Sequence, residues 1–365
     1  MKIKKIGESK IIMSNPMSRH QYFAWPSVAR LQNGKIAVVA SGYRLSHICP
    51  FGKTVISYSE DEGESYTIPA PVIDTPLDDR DGGIATFGEK GVIVTSFNNS
   101  VAFQQRAREH YAGRSYDGYR AAYLDTVRPE EEEKYLGITF RISADCGVTF
   151  GELHKSEVTS PHGPLELPDG SLLWVGRVYR SPELAEPVDR IEAHKLYPDG
   201  KMEFVGAIEN IEDHGEQALS CEPHAIRLKD GRILTHIRVQ KKGEHRMFTL
   251  YQSISEDEGK TWSKPEMILD RLGGAPAHLY YHSSGALISV YGYREQPYGI
   301  KAMISMDDGA TWDVDHVLFE TDISDDIGYP ATVELKDGSL LTVFYSRIKE
   351  EGPAVIMQQK WSIEE

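Results

Sequence analysis

Six short stretches of this 365-residue chain set ionisable or aromatic side chains directly against apolar runs. They are FAWPSV (23–28), RDGGIA (80–85), SPHGPL (160–165), CEPHAI (221–226), APAHLY (275–280) and GYPATV (328–333). Together they supply Arg80, Asp81, His162, Glu222, His224, His278 and Tyr329. A second series, Arg44, Arg177, Arg180, Arg238, Arg294 and Arg347, closes apolar runs rather than opening them. Carboxylates, imidazoles and a phenol move protons, and guanidiniums hold anions, so these groups brought together could work on an acidic substrate. Singly, most have plainer readings. A histidine can be a core residue bonded to backbone, Arg347 a solvent-facing charge, and Tyr329 before Pro330 a packing tyrosine. Glu222 is harder to dismiss, because a carboxylate between Cys221 and an apolar strand requires a partner.

The chemistry therefore depends on whether the chain folds these stretches to one place. Each of them precedes a hairpin: VARLQNGKIAVVASGYR (28–44), IATFGEKGVIVTSF (84–97), GPLELPDGSLLWVGRVYR (163–180), HAIRLKDGRILTHIRV (224–239), AHLYYHSSGALISVYGYR (277–294) and ATVELKDGSLLTVFYSR (331–347). Apolar flanks surround a tight turn whose glycine (Gly34, Gly91, Gly170, Gly231, Gly285, Gly338) supplies the positive φ. Six such units recurring about every 60 residues give too many strands for a simple sandwich, and the unit length suits a four-stranded blade. The expected fold is all-β, a six-bladed propeller spanning 1–365. Residues 5–14 are expected to pair with the last blade, since an unpaired edge is a liability. In a propeller the inner strands converge at one end of the axis, which would bring the six stretches together.

A second repeat, Ser-x-Asp-x-Gly-x-Thr/Ser-aromatic, runs out of phase with the first: SEDEGESY (59–66), SADCGVTF (143–150), SEDEGKTW (255–262) and SMDDGATW (305–312). The carboxylates of Asp61, Asp145, Asp257 and Asp307 can accept local backbone N–H bonds around a chain reversal. None has the twelve-residue spacing of a calcium loop, so these are read as structural turns and no metal or cofactor is expected.

With hairpin and box alternating, the whole chain resembles the sialidase (neuraminidase) superfamily, a divergent member of the BNR Asp-box propellers. That resemblance implies a tyrosine nucleophile opening the sixth inner strand and a glutamate opening the fourth that takes its proton. Tyr329 and Glu222 stand at those places. A phenol, with a pKa near 10, is a poor nucleophile without a positioned base, and a neutral nucleophile approaches an anionic sugar without repulsion. The resemblance also implies a three-arginine carboxylate clamp, to which Arg238 and Arg294 correspond, while Arg44 matches another pocket arginine. Two departures stand out. The family's Phe-Arg-Ile-Pro is here Phe23-Ala24-Trp25-Pro26, without the arginine. The loop RLSHICPFG (44–52) lacks the family's acid/base aspartate, leaving His47 or Asp81 for that role. Arg80, His162, His224 and His278 are expected to help bind substrate.

The function expected is a retaining exo-glycosidase releasing a terminal acidic sugar, sialic acid or a relative. A propeller hydrolase or lyase for another sugar, such as a uronic acid or rhamnose, and a non-catalytic glycan-binding propeller are the alternatives. Residues 99–137 break the repeat within the second blade and read as partly helical. They are either a solvated decoration or oligomer contact, or a lid over the pocket. With 40 Lys+Arg against 55 Asp+Glu, the net charge of −15 argues against nucleic-acid or anionic-membrane partners. The partner expected is a small glycan. Cys49, Cys146 and Cys221 have no metal-ligand spacing, and residues 1–19 lack the features of a signal peptide, so a cytoplasmic protein working on imported oligosaccharides is expected.

Overall fold

The computed structural model of the chain describes residues 1–107, 116–178, 190–241, 243, 247–268 and 273–364. Arg108 and Arg114 of the 99–137 insertion, and Arg180, lie outside them. The fold is a six-bladed β-propeller in which antiparallel strands follow one another from the axis outward. Blade 1 comprises Tyr22–Arg30, Ile36–Arg44, Lys53–Ser59 and Ala70–Ile73, and blade 2 comprises Arg80–Phe87, Gly91–Phe97, Ile138–Ser143 and His154–Ser156. Blade 3 has a broken inner strand (Val158–Thr159 and Leu165–Glu166) followed by Leu172–Val178, Ile191–Leu196 and Met202–Ile208. Blade 4 is Leu219–Arg227, Ile233–Lys241, Met247–Ser255 and Glu266–Met267; blade 5 is Gly274–Tyr281, Leu287–Tyr293, Tyr298–Ser305 and Asp313–Thr321. Blade 6 takes Gly328–Glu334, Leu340–Arg347 and Ala354–Glu364 from the end of the chain and Lys2–Met13 from its beginning.

The fully apolar second strands are explained by what lies on either side of them. In Ile36–Ala40 every side chain is buried. Alternate residues point to opposite faces of the sheet, so Val38 enters the core shared with blade 6, while Ala37 and Val39 enter the core shared with blade 2. Leu341 and Val343 likewise face blade 1, and Leu340 and Phe344 face blade 5. The hydrophobic core is thus a ring of wedges between blades.

The acidic boxes follow the third strands, at the end of the propeller away from the inner-strand starts. In each, the aspartate is consumed by its own turn. Asp257 accepts from the Thr261 N–H at 2.8 Å and from the Thr261 and Ser255 hydroxyls at 2.7 and 2.9 Å. Asp145 and Asp307 repeat that pattern with Thr149 and Thr311. Among the described residues, three short helices, α1 (Val101–Ala107), α2 (Asp117–Leu124) and α3 (Pro129–Tyr135), lie between the second and third strands of blade 2. They therefore sit at the same end as the inner-strand starts. None of the described helices is long and apolar enough to cross a membrane.

Lys2–Met13 pairs antiparallel with Ala354–Glu364, from Lys2 opposite Glu364 to Met13 opposite Ile356. This joins the chain's two ends in one sheet and covers an edge that would otherwise offer unpaired backbone groups. Deleting residues 1–13 is expected to lower Tm by about 10 °C or more and to produce self-association through the bared strand. Thermal denaturation and size-exclusion chromatography measure both, and an unchanged Tm would show the pairing to be dispensable.

Candidate active site

One local distortion recurs where the inner strands begin. Arg80 lies opposite Phe97, but Gly83 lies opposite Thr95, so three residues span the space of two. The same slip occurs between Ala24 and Ser27, Cys221 and His224, Gly274 and Ala277, and Gly328 and Ala331. These are β-bulges, and each bulged strand turns its extra residue toward the axis. The first inserted residue adopts a positive φ in four blades: Trp25 (52°), Asp81 (51°), Glu222 (49°) and Tyr329 (49°). None is glycine, and such conformations cost about 1–3 kcal/mol each. In RDGGIA the second glycine has a separate steric role, because a Cβ on Gly83 would come within 2.6 Å of the Gly163 nitrogen. That close approach seats blade 2 against blade 3.

Three of the four bulge residues carry the polar centre of the site. The Tyr329 hydroxyl donates to Glu222 Oε1 at 2.6 Å. Arg238 Nη1 pairs with Glu222 Oε2 at 2.5 Å and lies 3.3 Å from the Tyr329 oxygen. Arg238 reaches Glu222 because it pairs across the hairpin with Cys221, at the mouth of the bulge. Its Nη2 donates to Gln240 at 2.8 Å. Burial opposes the charge of Glu222, but the Arg238 guanidinium and the Tyr329 hydrogen bond outweigh it and hold the carboxyl below its ordinary range. Tyr329 is driven well above the ordinary phenol value, by burial first and then by the charges of Glu222 and Asp81. Asp81 is raised to about 6 by burial, with Arg80 opposing and Glu222 reinforcing the shift.

A cavity of about 200 Å³ opens beside this group between blades 2, 3 and 4. Asp81, Phe97, Ser160, Arg177, Cys221, Glu222, Arg238 and Gln240 are among the residues lining it. Tyr329, only 4% exposed, borders this group through its hydroxyl, which donates to Glu222 on the cavity wall.

Trp25 governs the other side of the centre. Its indole is 1% exposed, with the Arg80 guanidinium 4.1 Å above the ring and that of Arg44 at 4.8 Å. The rings of His47, Tyr345 and Tyr329 surround it at 4.9, 6.1 and 6.4 Å between centroids. Arg44, expected among the substrate-binding residues, does not line the cavity. Its side chain is fully buried and paired with Asp78 at 2.6 Å. The Gln104 amide of α1 donates to the other Asp78 oxygen at 2.6 Å, and Tyr119 of α2 stacks on Phe51 at 4.7 Å. The described part of the insertion is therefore packed against the loops around the site.

His47 belongs to a second polar cluster, organised by Asp326. That carboxylate accepts from the Tyr22 and Tyr345 hydroxyls at 2.9 and 3.2 Å and from Arg347 Nε at 2.9 Å. His47 Nδ1 lies 3.1 Å from Asp326 Oδ1, an arrangement that assigns the ring proton to Nδ1. Burial lowers the His47 pKa against the opposing effect of Asp326. Arg347, read from the sequence as a solvent-facing charge, is thus a structural partner of Asp326. Asp326 itself was missed; the signal available was the acidic run SDDIGY (324–329) immediately before Tyr329.

The three histidines gather on the axis without lining the cavity. His224 and His278 stack at 4.4 Å, and His162 meets them edge-on at 5.4 and 5.0 Å. Backbone N–H groups of Leu279 and Thr332 donate to Nδ1 of His224 and His278, at 2.9 and 3.3 Å. Burial pushes all three well below the ordinary imidazole value. Expected from the sequence to help bind substrate, the three form a neutral axial stack. Arg294 is tied inward, donating to the Ile327 carbonyl at 2.9 Å and lying 3.2 Å from the Tyr345 hydroxyl.

The chain matches the BNR repeat-like domain family over residues 123–342. No curated protein matches it in sequence. A protein of unknown function from Dyadobacter fermentans has a similar structure, at 20% identity and TM-score 0.76 over 99% of both chains. The NanB sialidase of Streptococcus pneumoniae is similar at 13% identity and TM-score 0.65, over 97% of this chain and 70% of that one. The intramolecular trans-sialidase of Ruminococcus gnavus is similar at 13% identity and TM-score 0.63, over 97% of both. At such identities the likeness establishes the fold. The chain is accordingly a divergent member of the BNR repeat-like family, built on the sialidase propeller.

Proposed function

We propose that this protein is a retaining exo-glycosidase that releases a terminal acidic sugar. The observation carrying this reading is the 2.6 Å bond from the Tyr329 hydroxyl to Glu222, beside an open cavity whose wall includes Arg177 and Arg238. A propeller of the sialidase type points to glycoside hydrolysis in general, and the named residues give it a mechanism. Arg238 neutralises Glu222 and weakens it as a base. A substrate carboxylate binding to Arg238 through charge-assisted bonds competes for that guanidinium and leaves Glu222 free to take a proton.

The Tyr329 proton then passes to Glu222 as the phenolic oxygen bonds to the anomeric carbon. The glycosidic bond breaks, and its electron pair leaves on the aglycone oxygen, which receives the proton of Asp81. In the second half, the Asp81 carboxylate takes a proton from water. The resulting oxygen bonds to the anomeric carbon, the bond to Tyr329 breaks, and Glu222 returns its proton to the phenolate. Two displacements at one carbon retain its configuration. Asp81 is preferred to His47 as the acid because it lines the cavity and burial raises it to about 6, where a protonated fraction persists near neutrality. His47 does not line the cavity and is committed to Asp326.

Tyr329→Phe is expected to lower kcat by about 10³-fold or more while the circular dichroism spectrum and Tm stay near wild type; retained turnover on nitrophenyl glycosides would remove the mechanism. Because Asp81 must hold its proton, kcat/KM is expected to fall as pH rises through about 6. Asp81→Asn should abolish that limb and reduce turnover of poor leaving groups by about 10²–10⁴-fold. Substrates with activated phenol leaving groups, which need little protonation, should lose far less. A limb that survives in Asp81→Asn would reassign the acid.

A further inference from the structure

We infer that Arg177 is the second guanidinium of the site, and that it and Arg238 together hold the substrate's carboxylate. Recognition of the anion then falls to blades 3 and 4. The inference deepens the acidic-sugar reading above and rests on it.

Charge sets the requirement. Arg238 already pairs with Glu222 at 2.5 Å and donates to Gln240 through its other terminal nitrogen. A substrate carboxylate brought to Arg238 alone would set two negative groups around one positive group, in a site where Arg238 and Glu222 are largely buried. Excess charge is costly there, and two crowded carboxylates drive one of them to take up a proton. A protonated Glu222 could no longer accept the proton of Tyr329. A second cation in the same wall restores the balance. Arg177 and Arg238 then face Glu222 and the substrate, with Asp81 holding its proton as the acid.

Among the described residues, Arg177 and Arg238 are the basic side chains that line the cavity. Other arginines near the axis have different tasks: Arg44 pairs with Asp78, Arg80 lies over the Trp25 ring, and Arg294 donates to the Ile327 carbonyl.

The repeat explains why these two reach one wall. Gly170 to Arg177 and Gly231 to Arg238 are both steps of seven residues from the turn glycine along the second strand. The other four blades carry Ser41, Asn98, Gly292 and Tyr345 at that step. Arg177 lies opposite Thr159 of its inner strand, and Arg238 opposite Cys221. Directly opposed residues share a face of the sheet, and Thr159 and Cys221 also line the cavity. Gly176 lets the strands of blade 3 close beside Arg177, since a Cβ there would lie 2.8 Å from the Thr159 carbonyl oxygen. The inner strand then breaks after Thr159, and Ser160 and Pro161 continue the wall.

Titration calorimetry on the full chain compares each acid with a neutral counterpart: sodium N-acetylneuraminate with its methyl ester, and sodium D-glucuronate with D-glucuronamide. Wild type is expected to bind at least one acid about tenfold or more tighter than its counterpart. In Arg177→Met that preference is expected to fall to about threefold or less, with the counterpart bound as before and Tm near wild type. Arg177→Lys keeps the charge but loses the planar fork, and its preference is expected to fall between. If Arg177→Met does not fold, Arg177→Lys decides, and an undiminished preference in it overturns the inference. A folded Arg177→Met that keeps the wild-type preference overturns the role of Arg177 and leaves the acidic-sugar reading in place. Equal weakening of acid and counterpart overturns it too, because the residue would then shape the cavity rather than meet the charge. Wild type without preference for either acid sinks the acidic-sugar reading and the role of Arg177 with it.

Discussion

The site rests on a bulge that is repeated around the ring. A regular inner strand would direct alternate side chains into the wedges between blades, as the second strands do. Inserting one residue at the strand's start turns a side chain inward and along the axis, and the chain does this with Trp25, Asp81, Glu222 and Tyr329 at positive φ. Four strained residues at about 1–3 kcal/mol each are a substantial cost for a domain of ordinary stability. The packed blades outside them impose the conformation, which is why a propeller can keep reactive groups in a geometry that an isolated hairpin would relax.

Charge distribution around the bulges follows from burial. Arg238 and Glu222 form a nearly buried pair, each satisfying a charge that could not stay alone there, and Gln240 and Tyr329 complete their hydrogen bonds. Asp81 has the weaker compensation: Arg80 is 3.7 Å away and faces Trp25, so burial dominates and the acid keeps its proton to a higher pH. Two carboxyl groups on one cavity wall are thereby driven in opposite directions. That divergence is what an acid and a base in the same site require.

The Asp326 cluster does a different task. One carboxylate collects Tyr22, Tyr345, Arg347 and His47 from blades 1 and 6 and the loop between the second and third strands of blade 1. Burial opposes its charge, and the His47 hydrogen bond and the Arg347 guanidinium outweigh it, holding Asp326 well below the usual carboxylate range. The aromatic residues of that cluster pack against Trp25, so the same interactions that join the first and last blades also hold the indole in place.

Much of this architecture is written in local pattern. Turn glycines, apolar flanks and the acidic boxes each report on a few neighbouring residues, and their count and order determine a six-unit ring and which residues open each inner strand. The sequence also determines that Glu222 needs a partner, because a buried charge always does. Which partner it takes, Arg238 on the adjacent strand and Tyr329 more than a hundred residues later, is decided only when the ring closes. The same holds for residues whose type alone suggests a role. Arg44, His224 and His278 resemble ligand-binding groups as isolated letters, but Asp78 and the backbone of neighbouring strands are bonded to them. A side chain's chemistry belongs to its residue type, whereas its availability depends on what is packed within hydrogen-bonding reach, and that is a property of tertiary structure alone.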